Sequence, residues 1–173
     1  MQWQIRPAKA ADLAAIPAID VQAGRRFRDV GLEAIAEGEP VGNDVLQAHL
    51  EAGTAWVAVD QEGRLIAFAI ASRVDGQGHL DQISALESAG GHGIGRALID
   101  TVHDWARQQD ATAVTLTTFA SVPWNGPYYE RLGYVELAEA DQGPELRAIR
   151  RDERAAGIDI LPRIAMRHSL GRG

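Results

Sequence analysis

A run of glycines precedes the most regular predicted helix of the sequence. Gly90-Gly91-His92-Gly93-Ile94-Gly95-Arg96 follows a predicted strand, and apolar residues then recur at helical spacing at Leu98, Val102 and Trp105. At a helix N-terminus, free backbone N–H groups and the helix dipole favour an anion, and glycines let the backbone approach a phosphate closely. The run therefore predicts an anion site, with a tight strand-to-helix turn as the alternative.

Two common glycine-rich nucleotide motifs do not match this run. A P-loop ends in Gly-Lys-Ser or Gly-Lys-Thr, whereas Gly95 is followed by Arg96 and Ala97. A dinucleotide fingerprint needs a third glycine, which would fall at Arg96 or at Leu98, depending on where the pattern starts. The sequence therefore disfavours an ATP- or NAD-binding domain.

The glycine run resembles the pyrophosphate loop of the GNAT acyltransferases, which reads Gln/Arg-x-x-Gly-x-Gly/Ala and opens a helix. Gly90 stands where the family has Gln or Arg, so a side chain is missing there and the backbone donors are kept. The segment from Trp124 to Tyr134 is similar to the family's Asn followed by Tyr-Glu-x-x-Gly-Phe/Tyr. The opening Ile5-Arg6-Pro7-Ala8, with Ala11-Asp12-Leu13, also resembles a common GNAT start.

The resemblance implies roles for particular residues. Backbone groups around Ala85 and Leu86 would hold the pantetheine arm of acetyl-CoA and polarise its thioester carbonyl, and the run from Gly90 to Arg96 would hold the pyrophosphate. Asn125 would contact the cofactor arm or cap the short helix that follows it. Tyr129 aligns with the tyrosine that donates a proton to the departing CoA thiolate. Because a phenol has a pKa of about 10 and a thiol of about 8.5, full transfer is uphill by roughly 2 kcal/mol, and hydrogen-bond stabilisation is the safer expectation.

In a GNAT-like reaction the amine attacks the thioester directly, so no protein nucleophile is needed. This agrees with a sequence that has no cysteine and no Gly-x-Ser-x-Gly element. Candidates for the general base are Asp81, Glu87 and His79, of which we favour Asp81. The resemblance implies a glutamate on the strand before the glycine run or a water chain as the base, and a solvated surface carboxylate is the stronger interpretation of Asp81.

Composition limits the partners. The 173 residues carry a net charge of −7, and Lys9 is the only lysine, which gives little support for nucleic-acid binding. The five histidines lack metal-ligand spacing, so we expect surface or helix-face histidines and no metal. No apolar run is long enough to cross a membrane, and no secretory signal opens the chain, so we expect a cytoplasmic protein. Homodimerisation is left open.

The order of elements predicts one α/β (α+β) domain over residues 1–173. Strands are predicted over 2–6, 54–60, 64–74, 79–86, 114–119, 134–138 and 158–166. Helices are predicted over 10–23, 43–53, 94–109, 127–132 and 143–157. This order describes a mixed sheet with helices on both faces. The GNAT resemblance implies a mostly antiparallel central sheet of about seven strands.

Three functional interpretations follow. The first is an N-acetyltransferase that moves an acetyl group from acetyl-CoA to a primary amine, with a small molecule favoured over a protein or peptide as acceptor. The second is a non-catalytic acyl-CoA-binding sensor or interaction module, suggested by the missing Gln/Arg at position 90. The third, a nucleotide-binding domain, is disfavoured by the failed glycine patterns.

Overall fold

The computed structural model describes residues 1–171. Its strands are β1 (Trp3–Pro7), β2 (Ala55–Asp60), β3 (Leu65–Val74), β4 (Gln77–Ala85), β5 (Ala113–Phe119), β6 (Val135–Glu136) and β7 (Arg163–Ser169). Its α-helices are α1 (Ile16–Gly24), α2 (Glu33–Ala36), α3 (Asn43–Ala52), α4 (Ile94–Gln108), α5 (Gly126–Arg131) and α6 (Pro144–Ala155). Short 3-10 segments cover Ala10–Asp12, Arg25–Val30, Glu87–Ala89 and Glu139–Asp141.

The strands form one seven-stranded sheet in the order β1-β2-β3-β4-β5-β7-β6. The β1·β2, β2·β3, β5·β7 and β6·β7 pairs are antiparallel, and the β4·β5 pair is parallel. The parallel pairing joins Gly78 to Val114 and His79 to Thr115. The predicted mixed, mostly antiparallel sheet with helices is therefore confirmed.

Backbone contacts divide the chain into two compact units. The first unit comprises Met1–Ser72 and Asp81–Val102. Its core is built from alternate residues of β2 and β3, which point to one face of the sheet, together with apolar residues of α1 and α3. The buried members are Ile16, Ile19, Leu46, Ala55, Val57, Val59, Phe68 and Ile70.

The second unit comprises Arg73–Leu80 and the chain from His103 onward. Asp75 and Gly76 both have positive φ (51° and 75°), as a type I′ hairpin turn requires. The Asp75 carboxylate accepts hydrogen bonds from the backbone N–H groups of Glu145 and Leu146 at 2.9 and 3.0 Å, so it caps the N-terminus of α6. A Cβ at Gly143 would lie 2.2 Å from the Asp75 carboxyl carbon, which explains the glycine there.

Three predicted boundaries are wrong. The helix predicted from Ala10 begins at Ile16, because Pro17 lacks an N–H group and fits the first turn of a helix. The N-cap of α3 is Gly42 and not Asn43 or Asp44. Gly42 has extended backbone, and α3 has no side-chain cap. The last strand begins at Arg163, directly after Pro162, and not at Ile158.

None of the helices within residues 1–171 is long and apolar enough to cross a membrane.

Candidate functional site

The glycine run forms a row of free backbone donors in the first unit. The first backbone hydrogen bond of α4 runs from the Ala97 N–H to the Gly93 carbonyl at 3.0 Å. Among residues 1–171, no acceptor lies in regular hydrogen-bond geometry to the N–H groups of residues 91–96, although a turn covers residues 90–93. Gly91 and Gly93 have φ of 73° and 76°, a conformation that glycine adopts without a steric cost. N–H groups just before and within the first turn of a 15-residue helix are suited to an anion, because the positive end of the helix dipole lies there.

Asp81 lies on β4, also in the first unit. Its Oδ1 accepts a hydrogen bond from the Ser72 Oγ at 2.9 Å, and its Oδ2 lies 3.9 Å from the His49 Nε2. Burial raises the pKa of the Asp81 carboxyl to about 6, against the opposing effect of the Ser72 hydrogen bond. A carboxylate with such a pKa can accept a proton near neutral pH, and 28% of its side-chain area remains exposed.

His49 is a neighbour of Asp81 that sequence reasoning missed. Its Nδ1 lies 2.8 Å from the Thr54 Oγ1, and burial lowers the pKa of its imidazole despite a hydrogen bond with the Ala71 backbone. His49 lies on α3, 32 residues before Asp81, and no local spacing connects the two. Only the packing of α3 on the sheet brings them together.

The β4 segment after Asp81 is held by a carboxylate from α1. Asp20 Oδ1 accepts hydrogen bonds from Gln82 Nε2 at 2.5 Å and Ser84 Oγ at 2.9 Å, and its Oδ2 accepts one from the Val41 N–H at 2.9 Å. Asp81 approaches α3 and Gln82 approaches α1, and both helices pack on one core. In a regular strand the side chains of Asp81 and Gln82 would point to opposite faces of the sheet. Here both point toward the same face, as a β-bulge would produce.

Ala85 and Leu86 end this segment and are both partly buried. The Leu86 N–H donates to the Ile66 carbonyl at 2.9 Å. The chain then makes the short 3-10 turn over Glu87–Ala89 and enters the glycine run. The predicted pantetheine segment and the predicted pyrophosphate loop are thus continuous in the first unit.

Tyr129 lies on α5, in the second unit, and is 7% exposed. Its ring packs edge-on against Tyr134, with centroids 5.7 Å apart. The Tyr134 hydroxyl lies 2.7 Å from the His103 Nε2, and burial lowers the pKa of His103 to about 4, so this histidine is neutral. The neighbouring Tyr128 is only half-buried and packs under the Arg131 guanidinium.

Asn125 precedes α5, and its carbonyl accepts the Tyr129 N–H at 3.0 Å. The side chain makes no capping bond, so the capping interpretation of Asn125 is wrong. Its Nδ2 donates to the Trp124 carbonyl at 3.4 Å, whereas its Oδ1 is buried without a hydrogen-bond donor among residues 1–171. A buried amide oxygen without a donor is costly unless a ligand satisfies it.

The other two base candidates differ from Asp81. His79 is 3% exposed, its Nδ1 lies 2.8 Å from the Thr115 Oγ1, and burial lowers its pKa to about 4. Glu87 is exposed on the 3-10 turn before the glycine run. The expectation of surface or helix-face histidines is wrong for His79, which is buried on β4, and for His168, which is partly buried on β7 with its ring stacked on His103. Within residues 1–171, no cluster of His, Cys, Asp or Glu side chains could hold a metal ion.

The sequence matches the model of the acetyltransferase (GNAT) family over residues 25–134, which is more than half of the chain. The chain belongs to the GNAT acetyltransferase family. The matched span contains Asp81, the glycine run and the segment with Asn125 and Tyr129.

Solved structures agree on the fold. N-acetylglutamate synthase from Neisseria gonorrhoeae, complexed with coenzyme A and N-acetyl-glutamate, superposes with a TM-score of 0.73 at 20% identity, over 99% of this chain and 36% of that chain. Rv2747 from Mycobacterium tuberculosis, in complex with CoA and NLQ, gives 0.72 at 20% identity over 97% and 99% of the two chains. The ribosomal-protein-S18-alanine N-acetyltransferase from Escherichia coli gives 0.68 at 17% identity over 99% and 96%.

Proposed function

We propose that this protein transfers an acetyl group from acetyl-CoA to a primary amine, with a small molecule as the favoured acceptor. The observation that carries the proposal is the row of free N–H groups at residues 91–96, which suits a pyrophosphate. CoA is present in the structures of the synthase from Neisseria gonorrhoeae and of Rv2747. Family membership supports the same donor.

The proposed reaction needs a base, a carbonyl polariser and a stabiliser of the leaving group. The acceptor ammonium gives one proton to the Asp81 carboxylate, and the amine nitrogen attacks the thioester carbonyl carbon. A C–N bond forms, the C–S bond breaks, and the CoA thiolate leaves. The donor that stabilises the developing oxyanion is placed among the backbone N–H groups near Ala85, because the Leu86 N–H already donates to the Ile66 carbonyl. The nitrogen loses its second proton as the amide forms, and this proton passes to the thiolate to give the CoA thiol; the Tyr129 hydroxyl stabilises the thiolate until then.

The acceptor should be sought among chemically different amines, because the similar structures include both a synthase with N-acetyl-glutamate and an acetyltransferase for a ribosomal-protein alanine. Release of free thiol from acetyl-CoA would be followed with a panel of amino acids, polyamines, aminoglycosides and alanine-ending peptides. Amine-dependent thiol release, with the acetylated amine detected by mass spectrometry, is expected. Acetyl-CoA binding without turnover of any amine would favour the sensor module.

A pH profile tests the role of Asp81. Because the base must be ionised and its pKa lies near 6, the rate with a good acceptor should fall about tenfold per pH unit below 6. Asp81→Asn should remove this limb and lower the turnover number at neutral pH. The measurement is steady-state turnover between pH 5 and 9, with Asp104→Asn as the control, since Asp104 is an exposed carboxylate on α4. If the rate of Asp81→Asn still fell below pH 6 in the same way, the group that titrates there would not be Asp81.

Asp81 also predicts a stability signature with the opposite sign. The Asp81 carboxyl has a higher pKa in the folded protein, about 6, than its ordinary value of 3.8. Its contribution to folding stability is therefore fully present below pH 3.8 and is lost as the pH rises through 6. Asp81→Asn should therefore raise the thermal midpoint relative to the unaltered protein at pH 7.5 more than at pH 4. A variant that is slower and more stable separates a functional carboxylate from a structural one.

A further inference from the structure

The indole of Trp3, near the start of the chain, contacts the glycine run. Trp3 lies on β1, where it pairs with Asp60 of β2, and it is partly buried. Its Nε1–H donates a hydrogen bond to the His92 carbonyl at 3.2 Å, although 89 residues separate the two. His92 is the residue between the two glycines with positive φ, Gly91 and Gly93.

This hydrogen bond fixes the orientation of one peptide plane. The chain has no cis peptide bond among residues 1–171, so the His92 C=O and the Gly93 N–H point in opposite directions. When Trp3 holds the carbonyl, the Gly93 N–H must point away from Trp3. That N–H is one of the free donors of the proposed pyrophosphate site.

Without Trp3 this peptide plane could turn over at low cost. Rotation of a peptide plane changes ψ of the residue before it and φ of the residue after it. The residue after it is Gly93, and glycine adopts positive and negative φ about equally readily. A turned plane would aim the His92 carbonyl oxygen at the bound phosphate and would remove a donor. The glycines let the loop approach an anion closely, and they also leave the orientation of the His92–Gly93 peptide plane weakly determined.

We propose that Trp3 is a positioning residue for pyrophosphate binding, which sets the direction of the Gly93 N–H through the His92 carbonyl. The proposal rests on the proposed function, since it concerns the same loop. Trp3 lies outside the matched family span of residues 25–134 and outside the motifs of the glycine run. The indole supplies one hydrogen bond and one orientation, and it makes no contact with substrate in the proposed mechanism.

The test is Trp3→Phe, which keeps an aromatic ring and removes the N–H donor. We expect the dissociation constant for CoA to rise about threefold to tenfold, the effect of one lost hydrogen bond to the loop. The dissociation constant for pantetheine, which has no pyrophosphate, should stay unchanged. The ratio of the two constants is the readout, because a general weakening of the fold would move both. Trp105→Phe on α4 is the matched control and should leave the ratio unchanged.

Fluorescence gives a second readout. Trp3 emission should respond to saturating CoA, and the response should be lost in Trp3→Phe and kept in Trp105→Phe. An unchanged ratio of dissociation constants in Trp3→Phe, or an equal loss of CoA and pantetheine binding, would overturn the positioning role. If the unaltered protein failed to bind CoA, the proposed function would fall, and the role of Trp3 with it.

Discussion

Gly93→Glu is expected to abolish measurable CoA binding. The substitution places a carboxylate within the row of free N–H groups, where it would repel the pyrophosphate and compete for the same donors. It also forces a side chain onto backbone with φ of 76°, at a cost of roughly 1–2 kcal/mol. A calorimetric titration with CoA measures the loss, which should exceed about 100-fold.

Gly63→Glu separates these two causes. Gly63 lies in the β2–β3 hairpin and has φ of 78°, and a Cβ added there, as at Gly93, would meet no heavy atom within 4 Å. It therefore carries the same backbone strain without the anion site. CoA affinity should be unchanged in Gly63→Glu. If both variants lost binding alike, the effect would be strain on the fold, and the loop would not be the phosphate site.

Tyr129→Phe should lower the turnover number about 100-fold while leaving the dissociation constant for CoA within about twofold. The variant keeps the ring that packs against Tyr134 and removes only the hydroxyl proposed to stabilise the thiolate. Single-turnover rates with acetyl-CoA and a good amine acceptor measure the effect on chemistry apart from product release.

Tyr128→Phe is the matched control for this prediction. Tyr128 is the adjacent residue, and its ring faces the Arg131 guanidinium. A normal rate in Tyr128→Phe, beside a slow Tyr129→Phe, assigns the role to Tyr129. A full rate in Tyr129→Phe at every pH would show that its hydroxyl takes no part in the reaction, and a slow Tyr128→Phe would assign the role one residue earlier.

The elements that sequence reasoning predicted well are those determined locally. The start of α4 after the glycine run follows from helical periodicity and from the glycines before it, and the β2–β3 hairpin follows from two apolar runs around Gly63. The boundary of β7 was wrong because apolar residues from Ile158 onward look strand-like until Pro162, whereas the strand pairs with β5 only from Arg163. Apolar composition marks a strand and does not fix its register.

The candidate site follows from the sequence as a backbone motif and not as a network of side chains. The glycine run, Asp81 and Tyr129 stand out by residue type, and for the loop the structure adds the free donors. The partners His49, Asp20 and Trp3 lie 32, 62 and 89 residues from the groups that they contact. No periodicity relates such distant residues, because strand pairing and helix packing bring them together.

Calorimetric titration of the unaltered protein with acetyl-CoA, beside ATP and NAD at the same concentrations, tests the central claim most directly. The proposed function predicts saturable binding of acetyl-CoA at one site per chain, in the micromolar range, with no comparable binding of ATP or NAD. Absence of acetyl-CoA binding, or tighter binding of ATP or NAD, would contradict the proposed acetyltransferase activity and leave only the fold and the family membership.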